Sequence, residues 1–283
     1  MPARDGSPLP AYDLHVHTVY SGHSSPDATV VNMVAAAAAN GVELLAVSEH
    51  VPTVVPDIES WRAAKGDRSV IDAVAADLAD IDPPEGAPRL LLGAEIDADP
   101  YLLDGSLMLD DLSGIGYVLA STHLFPGGEA FWFETISVAE AAKMKILEEW
   151  VEWVARIAAN PSVDTIAHPG ALVGARFVID EFNDKVLALM TPMLESMAEH
   201  STAFELNELL GRKLPEQAKR SYPELVKCAR ALGVRFSVGS DAHGPEAVGI
   251  RPWVDKVARE SGLAPEDFID PPAGAVRGGA RGG

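Results

Sequence analysis

The segment YDLHVH at residues 12–17 contains two histidines, His15 and His17, that are two positions apart. Six further short apolar runs follow along the chain, separated by longer amphipathic stretches or loops. Short buried runs that alternate with longer helical ones are typical of parallel strands connected by helices. The sequence therefore predicts an α/β fold whose first strand is residues 12–17.

The predicted strands and helices extend over most of the chain. The strands are YDLHVH (12–17), ELLAVS (43–48), RLLLGAEI (89–96), YVLAST (117–122), DTIAH (164–168), AFELN (203–207) and VRFSVGS (234–240). Helices are predicted for the amphipathic stretches between them, several of which end at Gly, Asn or Pro. No Pro-rich or Ser-rich linker divides the chain. We expect a single domain over residues 12–265, an N-terminal extension over 1–11 and a flexible tail over 266–283.

Composition and charge narrow the class of protein. The 283 residues include 42 acidic and 22 basic side chains, a formal net charge of -20. Such a charge repels polyanions and disfavours bulk binding of nucleic acid. No apolar run is long enough for a membrane span, and the first residues lack the pattern of a secretory signal. A lone cysteine, Cys228, excludes an intramolecular disulfide. The expectation is a cytoplasmic enzyme that acts on a small substrate, with its oligomeric state left open.

The histidines are distributed unevenly. Of the eight in the chain, all but His200 lie at the C-terminal end of a predicted strand or just after it. In barrels of parallel strands this rim contains the active site. The clustered residues are His15, His17, His23, His50, His123, His168 and His243. A metal centre explains this placement better than seven separate structural histidines do.

Strand geometry adds carboxylates to the cluster. Residues two apart in a strand point to the same side, so His15 and His17 should face the same side, as should Asp241 and His243 if the seventh strand stays extended through GSDAH. Glu95 ends the third strand and could bridge two cations. Imidazoles with a few carboxylates favour Zn, Mn or Fe. The donors outnumber the ligands of one catalytic zinc, so we expect two or three ions, most simply three. Multinuclear sites of this kind hydrolyse phosphate esters.

The motifs that carry these residues resemble those of the PHP (polymerase and histidinol phosphatase) superfamily. They are DLHVHTVYSGHS (13–24), AVSEHVP (46–52), GAEI (93–96), STH (121–123), IAHPG (166–170) and VGSDAH (238–243), and they occur in the family's order. The similarity extends from residue 12 to about residue 250. One departure is Ser48-Glu49, where many members have Thr-Asp.

The resemblance implies a distorted (β/α)7 TIM-like barrel with a trinuclear centre and a matched residue at each of nine ligand positions. By analogy, a first ion would be held by His15, His17, Glu95 and Asp241. A second would be held by Glu95, His123 and His168, and a third by His23, His50 and His243. Glu95 would bridge the first two ions, and Glu49 could orient a ligating imidazole.

The resemblance also suggests how the substrate binds. The segment ELNELLGRK (205–213) is similar to the histidinol phosphatase branch. Arg212 could bind phosphate through its planar fork, with Lys213 adding charge and Asn207 a hydrogen bond, whereas Glu205 could support a ligand. The expected reaction is hydrolysis of a small phosphomonoester, such as histidinol phosphate, by metal-bound hydroxide, with Asp241 as a candidate proton relay.

Two alternatives remain at this point. The same metals could cleave a phosphodiester in nucleotides or short oligonucleotides, or the chain could be a noncatalytic accessory module. Two segments could also act as a lid, the acidic insertion 97–114 and the aromatic residues 131–133. The sequence decides neither question.

Overall fold

The computed structural model describes residues 6–53, 57–83, 85–128, 140–171 and 179–271. Its strands are β1 (Tyr12–Val16), β2 (Leu44–Val51), β3 (Arg89–Asp97), β4 (Tyr117–Ser121), β5 (Thr165–Ile166), β6 (Ala203–Asn207) and β7 (Phe236–Gly239). Its helices are α1 (Val30–Ala39), α2 (Ile58–Ala63), α3 (Ser69–Asp80), α4 (Glu140–Ala158), α5 (Asp184–His200), α6 (Leu210–Lys213), α7 (Glu216–Ala231) and α8 (Pro252–Glu260). Each strand overlaps a predicted one.

The strands form one parallel sheet in sequence order. The two edges of the sheet approach each other just beyond the end of β7, where Val16 forms a parallel bridge with Ala242. The backbone N–H of His17 donates to the carbonyl of Ala242 at 2.9 Å, and the N–H of Asp241 donates to the carbonyl of His15 at 2.8 Å. The predicted α/β TIM-like barrel is confirmed as a nearly closed barrel, and its closure brings two histidines and an aspartate together.

The strands are buried on both faces, as expected for parallel strands covered by helices. All eight residues of β2 are buried, including Ser48 and Glu49. Helix α4 covers the barrel with an apolar face on which Trp150 and Trp153 are almost completely buried. Side chains cap the starts of helices, as where Thr29 accepts from Asn32 N–H at the start of α1.

The first and last described segments of the chain pack at the N-terminal ends of β1 and β7. The guanidinium of Arg251 donates to the backbone carbonyls of Tyr12 and Pro10. Phe268 is buried and forms a bridge with Phe236, and the N–H of Ile269 donates to the Phe236 carbonyl at 2.9 Å. Ordered packing therefore continues beyond residue 265, where the sequence analysis begins a flexible tail. Residues 272–283 lie outside the described residues.

The insertion 97–114 is more than a surface loop. Ala98 and Leu107 pair as an antiparallel bridge, and Leu107, Met108 and Leu109 are buried. Apolar side chains thus anchor the insertion to the barrel. The aromatic residues 131–133, the other candidate lid, lie outside the described residues. Within the described ranges, no helix has both the length and the apolarity needed to cross a bilayer.

Candidate metal centre

Glu95 lies at the centre of the predicted ligand cluster. It is almost completely buried near the C-terminal end of β3. Its Oε1 is 2.8 Å from His168 Nε2 and 3.4 Å from His123 Nε2. Its Oε2 is 2.8 Å from His50 Nδ1 and 3.2 Å from His15 Nε2. His17 Nε2 also lies 3.5 Å from Oε2. Imidazoles from four different strand ends therefore converge on one carboxylate, an arrangement that suits a carboxylate bridging two cations.

The first strand contributes two ligand atoms that face each other. His15 Nε2 and His17 Nε2 are 3.0 Å apart. Asp241 Oδ1 lies 3.3 Å from His17 Nε2 and 3.8 Å from His15 Nε2. The three side chains form one of the compact donor groups in the described part of the chain. These donors are among those that the sequence analysis assigns to a single ion.

A second group lies at the outer edge of the cluster. His17, His50 and His243 have ligand atoms close enough to share a cation. The ring of His23 lies 4.4 Å from that of His243 and 5.2 Å from that of His50, measured between centroids. His23 is thus next to the expected third site, although it is more exposed than the other histidines and is not part of a compact donor group.

His50 lies closer to Glu95 than the family-based assignment implies. It belongs to a group with Glu95 and His123 as well as to the outer group. Its ring also stacks on that of His17, with 4.1 Å between centroids. His50 therefore lies between two donor groups, where it could serve either.

Two candidate ligands have left-handed backbone conformations. The φ angle is 32° at His168 and 53° at Asp241. Such conformations cost about 1–3 kcal/mol in residues other than glycine and are concentrated at functional sites. The N–H of His168 donates to Glu205 Oε2 at 2.6 Å. This bond and the one from Asp241 N–H to His15 hold both residues in place immediately after their strands.

Three buried carboxylates lie behind the ligands. Glu205 Oε1 is 2.7 Å from His15 Nδ1, and Asp97 Oδ1 is 2.9 Å from His123 Nδ1. Glu49 Oε2 is 3.6 Å from His17 Nδ1. Carboxylates that bind the outer nitrogen of a histidine fix its tautomer and direct the other nitrogen toward a metal. Glu49 and Glu205 are predicted from the sequence to support ligands, whereas Asp97 is not, although its position two residues after Glu95 on the same strand is a signal for this role.

The donor set fits divalent transition metals. His50 Nε2 and His243 Nε2 are buried without a hydrogen-bond partner among the described residues. Buried nitrogens without a partner are costly unless something binds them. A carboxylate only accepts, so Glu205 requires a proton on His15 Nδ1, and a neutral His15 would then offer the lone pair of Nε2 to a cation. Imidazole with carboxylate suits Zn, Mn or Fe.

Electrostatics keep most of the donors in a metal-binding form. Burial and the charge of His17 lower the pKa of His50 to about 4 and that of His243 to about 3, so both rings are neutral at physiological pH. Burial opposes ionisation of Glu95 and Asp241, but the surrounding imidazoles hold the pKa of both carboxyl groups well below its usual range. A carboxylate so strongly held in its ionised form suits a ligand better than the proton relay suggested for Asp241.

The cluster opens into a cavity of about 520 Å³. Arg212 and Lys213, in α6, line this cavity together with several of the histidines. Asn207 also borders it, but its amide N–H groups donate to Glu205 Oε2 at 3.2 Å and Asp241 Oδ2 at 3.1 Å. Its Oδ1 accepts from Leu210 N–H. The predicted substrate contact for Asn207 is therefore corrected to a role in holding neighbours.

His200 lies apart from the cluster, as the sequence analysis expects. It ends α5, and its Nδ1 is 2.9 Å from the carbonyl of Ser196, one turn earlier in the same helix. The contact agrees with a histidine that caps its own helix.

Residues 13–209 match the model of the PHP domain. The chain belongs to the PHP domain family. It is 28% identical over 252 residues to a probable phosphatase of Acetivibrio thermocellus, covering 88% of this chain and 86% of that relative. It is 24% identical to a probable phosphatase of Photobacterium profundum, covering 87% of this chain and 85% of that relative. The family match and the names of these relatives confirm the predicted enzyme class, a phosphoesterase.

Solved structures of the same fold agree with the barrel. A histidinol phosphate phosphatase from Lactococcus lactis, crystallised with Zn, L-histidinol and phosphate, has a TM-score of 0.59 and 17% identity, covering 89% of this chain and 94% of the other. A putative histidinol phosphatase from Listeria monocytogenes has a TM-score of 0.54 and 18% identity, covering 84% of this chain and 97% of the other. At these identities the likeness establishes the PHP barrel fold, which the predicted resemblance anticipated.

Proposed function

We propose that this PHP protein is a phosphomonoesterase that uses three divalent transition-metal ions. One observation carries the proposal: three of the histidines around Glu95, namely His50, His123 and His168, line the same cavity as Arg212 and Lys213. A cavity that presents both metal ligands and a guanidinium suits a small phosphate ester, whose oxygens would coordinate the cations and accept hydrogen bonds from the guanidinium.

The proposed ligands are the nine residues expected from the family pattern. They are His15, His17, His23, His50, Glu95, His123, His168, Asp241 and His243. When bound, divalent cations at such a site lower the pKa of water, polarise the phosphate and stabilise the charge that develops on its oxygens. Because nine donors exceed what one or two ions need, three ions account for them best.

Side chains of the protein would bind the phosphate and orient the metal ligands. Arg212 would orient the phosphate through two parallel N–H donors, and Lys213 would add positive charge at the rim. Glu205, Glu49 and Asp97 would keep the ligating imidazoles in one tautomer. The names of the fold relatives support histidinol phosphate as the first substrate to try.

The test is turnover of p-nitrophenyl phosphate and of its bis ester by protein loaded with Mn or Zn, alongside metal content by mass spectrometry. We expect about three metal ions per chain and preference for the monoester. Preference for the bis ester would replace the proposal with the phosphodiesterase alternative. Stoichiometric metal without turnover on a broad panel of phosphate esters would favour the noncatalytic alternative.

A further inference from the structure

Trp61 in α2 borders the cavity and also contacts the site from behind. Its side chain is 2% exposed and lines the cavity. Its indole Nε1–H donates to Asp97 Oδ2 at 3.0 Å. Asp97 ends β3, two residues after Glu95. One aromatic side chain is therefore in contact with both the substrate space and a carboxylate that orients a proposed metal ligand.

Asp97 uses both of its oxygens. Oδ1 accepts from Ser121 Oγ at 3.0 Å and from the backbone N–H of His123 at 3.2 Å, and it also lies 2.9 Å from His123 Nδ1. Because an ionised carboxylate only accepts, Nδ1 of His123 must carry the ring proton. Once the ring is neutral, as metal binding requires, His123 Nε2 presents its lone pair on the side that faces Glu95. Trp61 is the donor to the second oxygen, so it fixes the rotation of the carboxylate that sets this tautomer.

Helix α2 is itself held against the insertion 97–114. Lys65, just beyond the helix, pairs with Asp99 at 2.6 Å. The guanidinium of Arg62 lies 4.0 Å from the centre of the Tyr101 ring. These contacts come from neighbouring residues on the same segment but do not touch Asp97. They therefore provide a way to loosen α2 while leaving the indole hydrogen bond in place.

We propose that Trp61 is a positioning residue: its indole N–H, acting through Asp97, orients His123 for cation binding, while its ring bounds the substrate cavity. The inference rests on the proposed function, because it requires His123 to be a metal ligand. The N–H group and the ring of Trp61 are expected to have separate effects. Loss of the N–H should weaken metal binding, whereas loss of the ring should alter the fit of the substrate.

The first test is Trp61→Phe, which removes the indole N–H and keeps an aromatic ring. Outer partners of metal ligands contribute about 10–100-fold to metal affinity, so we expect the affinity for Zn²⁺ to fall about tenfold in competition with a chromophoric chelator. The visible absorption spectrum of the Co²⁺-loaded protein should shift, since a changed ligand orientation alters the ligand field. KM for p-nitrophenyl phosphate at saturating metal should change less than about threefold.

Lys65→Met is the matched control, because it weakens the attachment of α2 without touching Asp97. It should leave the Co²⁺ spectrum and the Zn²⁺ affinity near those of the wild type. If Lys65→Met lowers the Zn²⁺ affinity as much as Trp61→Phe does, the loss of affinity results from weaker docking of α2, and the proposal is overturned. An unchanged Zn²⁺ affinity in Trp61→Phe overturns it as well.

A double-mutant cycle with Asp97→Asn tests the route through the carboxylate. If Trp61 acts through Asp97, then Trp61→Phe should weaken metal binding much less in the Asp97→Asn background than in the wild type. Additive losses would overturn the proposal. A wild-type protein that binds no divalent metal would overturn the proposed function and this inference together. A wild-type protein that binds metal but has no phosphatase turnover would contradict only the proposed function.

Discussion

Gly239 in β7 faces Glu205 in β6 so closely that a side chain at position 239 would collide with the carboxylate. A Cβ built there would lie 2.3 Å from Glu205 Oε1 and 2.4 Å from His15 Cβ. Glu205 accepts from the N–H of His168 and is paired with His15 Nδ1. The glycine thus leaves space for one carboxylate that orients two proposed ligands, in the barrel interior between β1 and β6.

Glu205→Gln should lower metal affinity by about 10–100-fold, the usual contribution of such a partner. The amide is nearly isosteric, but an NH2 donor replaces one carboxylate oxygen, which conflicts with either His15 Nδ1–H or the N–H of His168. Metal affinity by chelator competition is the measurement. The matched control is Glu224→Gln, which removes an exposed carboxylate paired with Lys227 and should leave affinity unchanged. A Glu205→Gln protein with wild-type affinity would contradict the assigned role.

Gly239→Ala should reduce both stability and metal content, because the added methyl group displaces Glu205 or His15. Overpacking of this kind costs about 1–3 kcal/mol in the free energy of unfolding, measurable by denaturation of the metal-free protein. Gly93→Ala is the control for overpacking alone, since its Cβ would meet Ser48 Oγ at 2.3 Å instead of a carboxylate behind a ligand. Equal metal loss in the two variants would mean that general destabilisation is the cause.

Strand ends explain how much of the site could be predicted from sequence. His15 and His17 follow from a strand pattern with two histidines two positions apart. Asp241 and His243 follow only from their position just after a strand, because β7 ends at Gly239 and Asp241 has a left-handed backbone. Parallel strands place all their C-terminal ends at one rim, so residues far apart in sequence could be grouped without knowing the detailed packing. The barrel itself follows from the same alternation of short and long segments.

Other features depend on packing between distant elements and left no pattern in the sequence. Trp61 meets Asp97 only because α2 docks on the insertion 97–114. Asn207 was expected to face the substrate, but its amide is used by Glu205 and Asp241. Phe268 belongs to the barrel core although it follows the predicted start of the tail. Periodicity gives the direction of a side chain from its strand, whereas hydrogen-bond partners depend on three-dimensional contacts.

His17→Ala and Asp241→Ala should abolish turnover and lower metal content, because each removes a donor from the compact group with His15. His200→Ala should leave both near the wild-type value, since its contact lies within its own helix. Turnover of p-nitrophenyl phosphate and metal content by mass spectrometry are the measurements. Equal loss in all three variants would contradict the division between site and non-site histidines.

Metal binding should release protons at neutral pH. Burial lowers the pKa of His17 and of His123, but nearby carboxylates outweigh burial and raise both to about 9 in the metal-free protein. Both rings are then protonated at neutral pH and must lose a proton before they bind metal. The apparent affinity should therefore rise as the pH increases toward 9. Calorimetry in buffers of different ionisation enthalpy measures the released protons, and an affinity independent of pH would contradict the expectation.

Arg212→Ala should weaken phosphate binding about tenfold, as expected when a charge-assisted hydrogen bond of roughly 1.5–3 kcal/mol is lost from a solvated rim. Arg212→Lys should lie between the alanine variant and the wild type, because lysine keeps the charge but loses the planar fork. The inhibition constant of inorganic phosphate and KM for p-nitrophenyl phosphate are the measurements. Arg220→Ala, in α7, is the control, since Arg220 does not line the cavity. If both alanine variants raise the inhibition constant equally, Arg212 acts only through general electrostatic attraction and does not bind the phosphate directly. An increase in Arg212→Ala alone would place the bound phosphate beside α6.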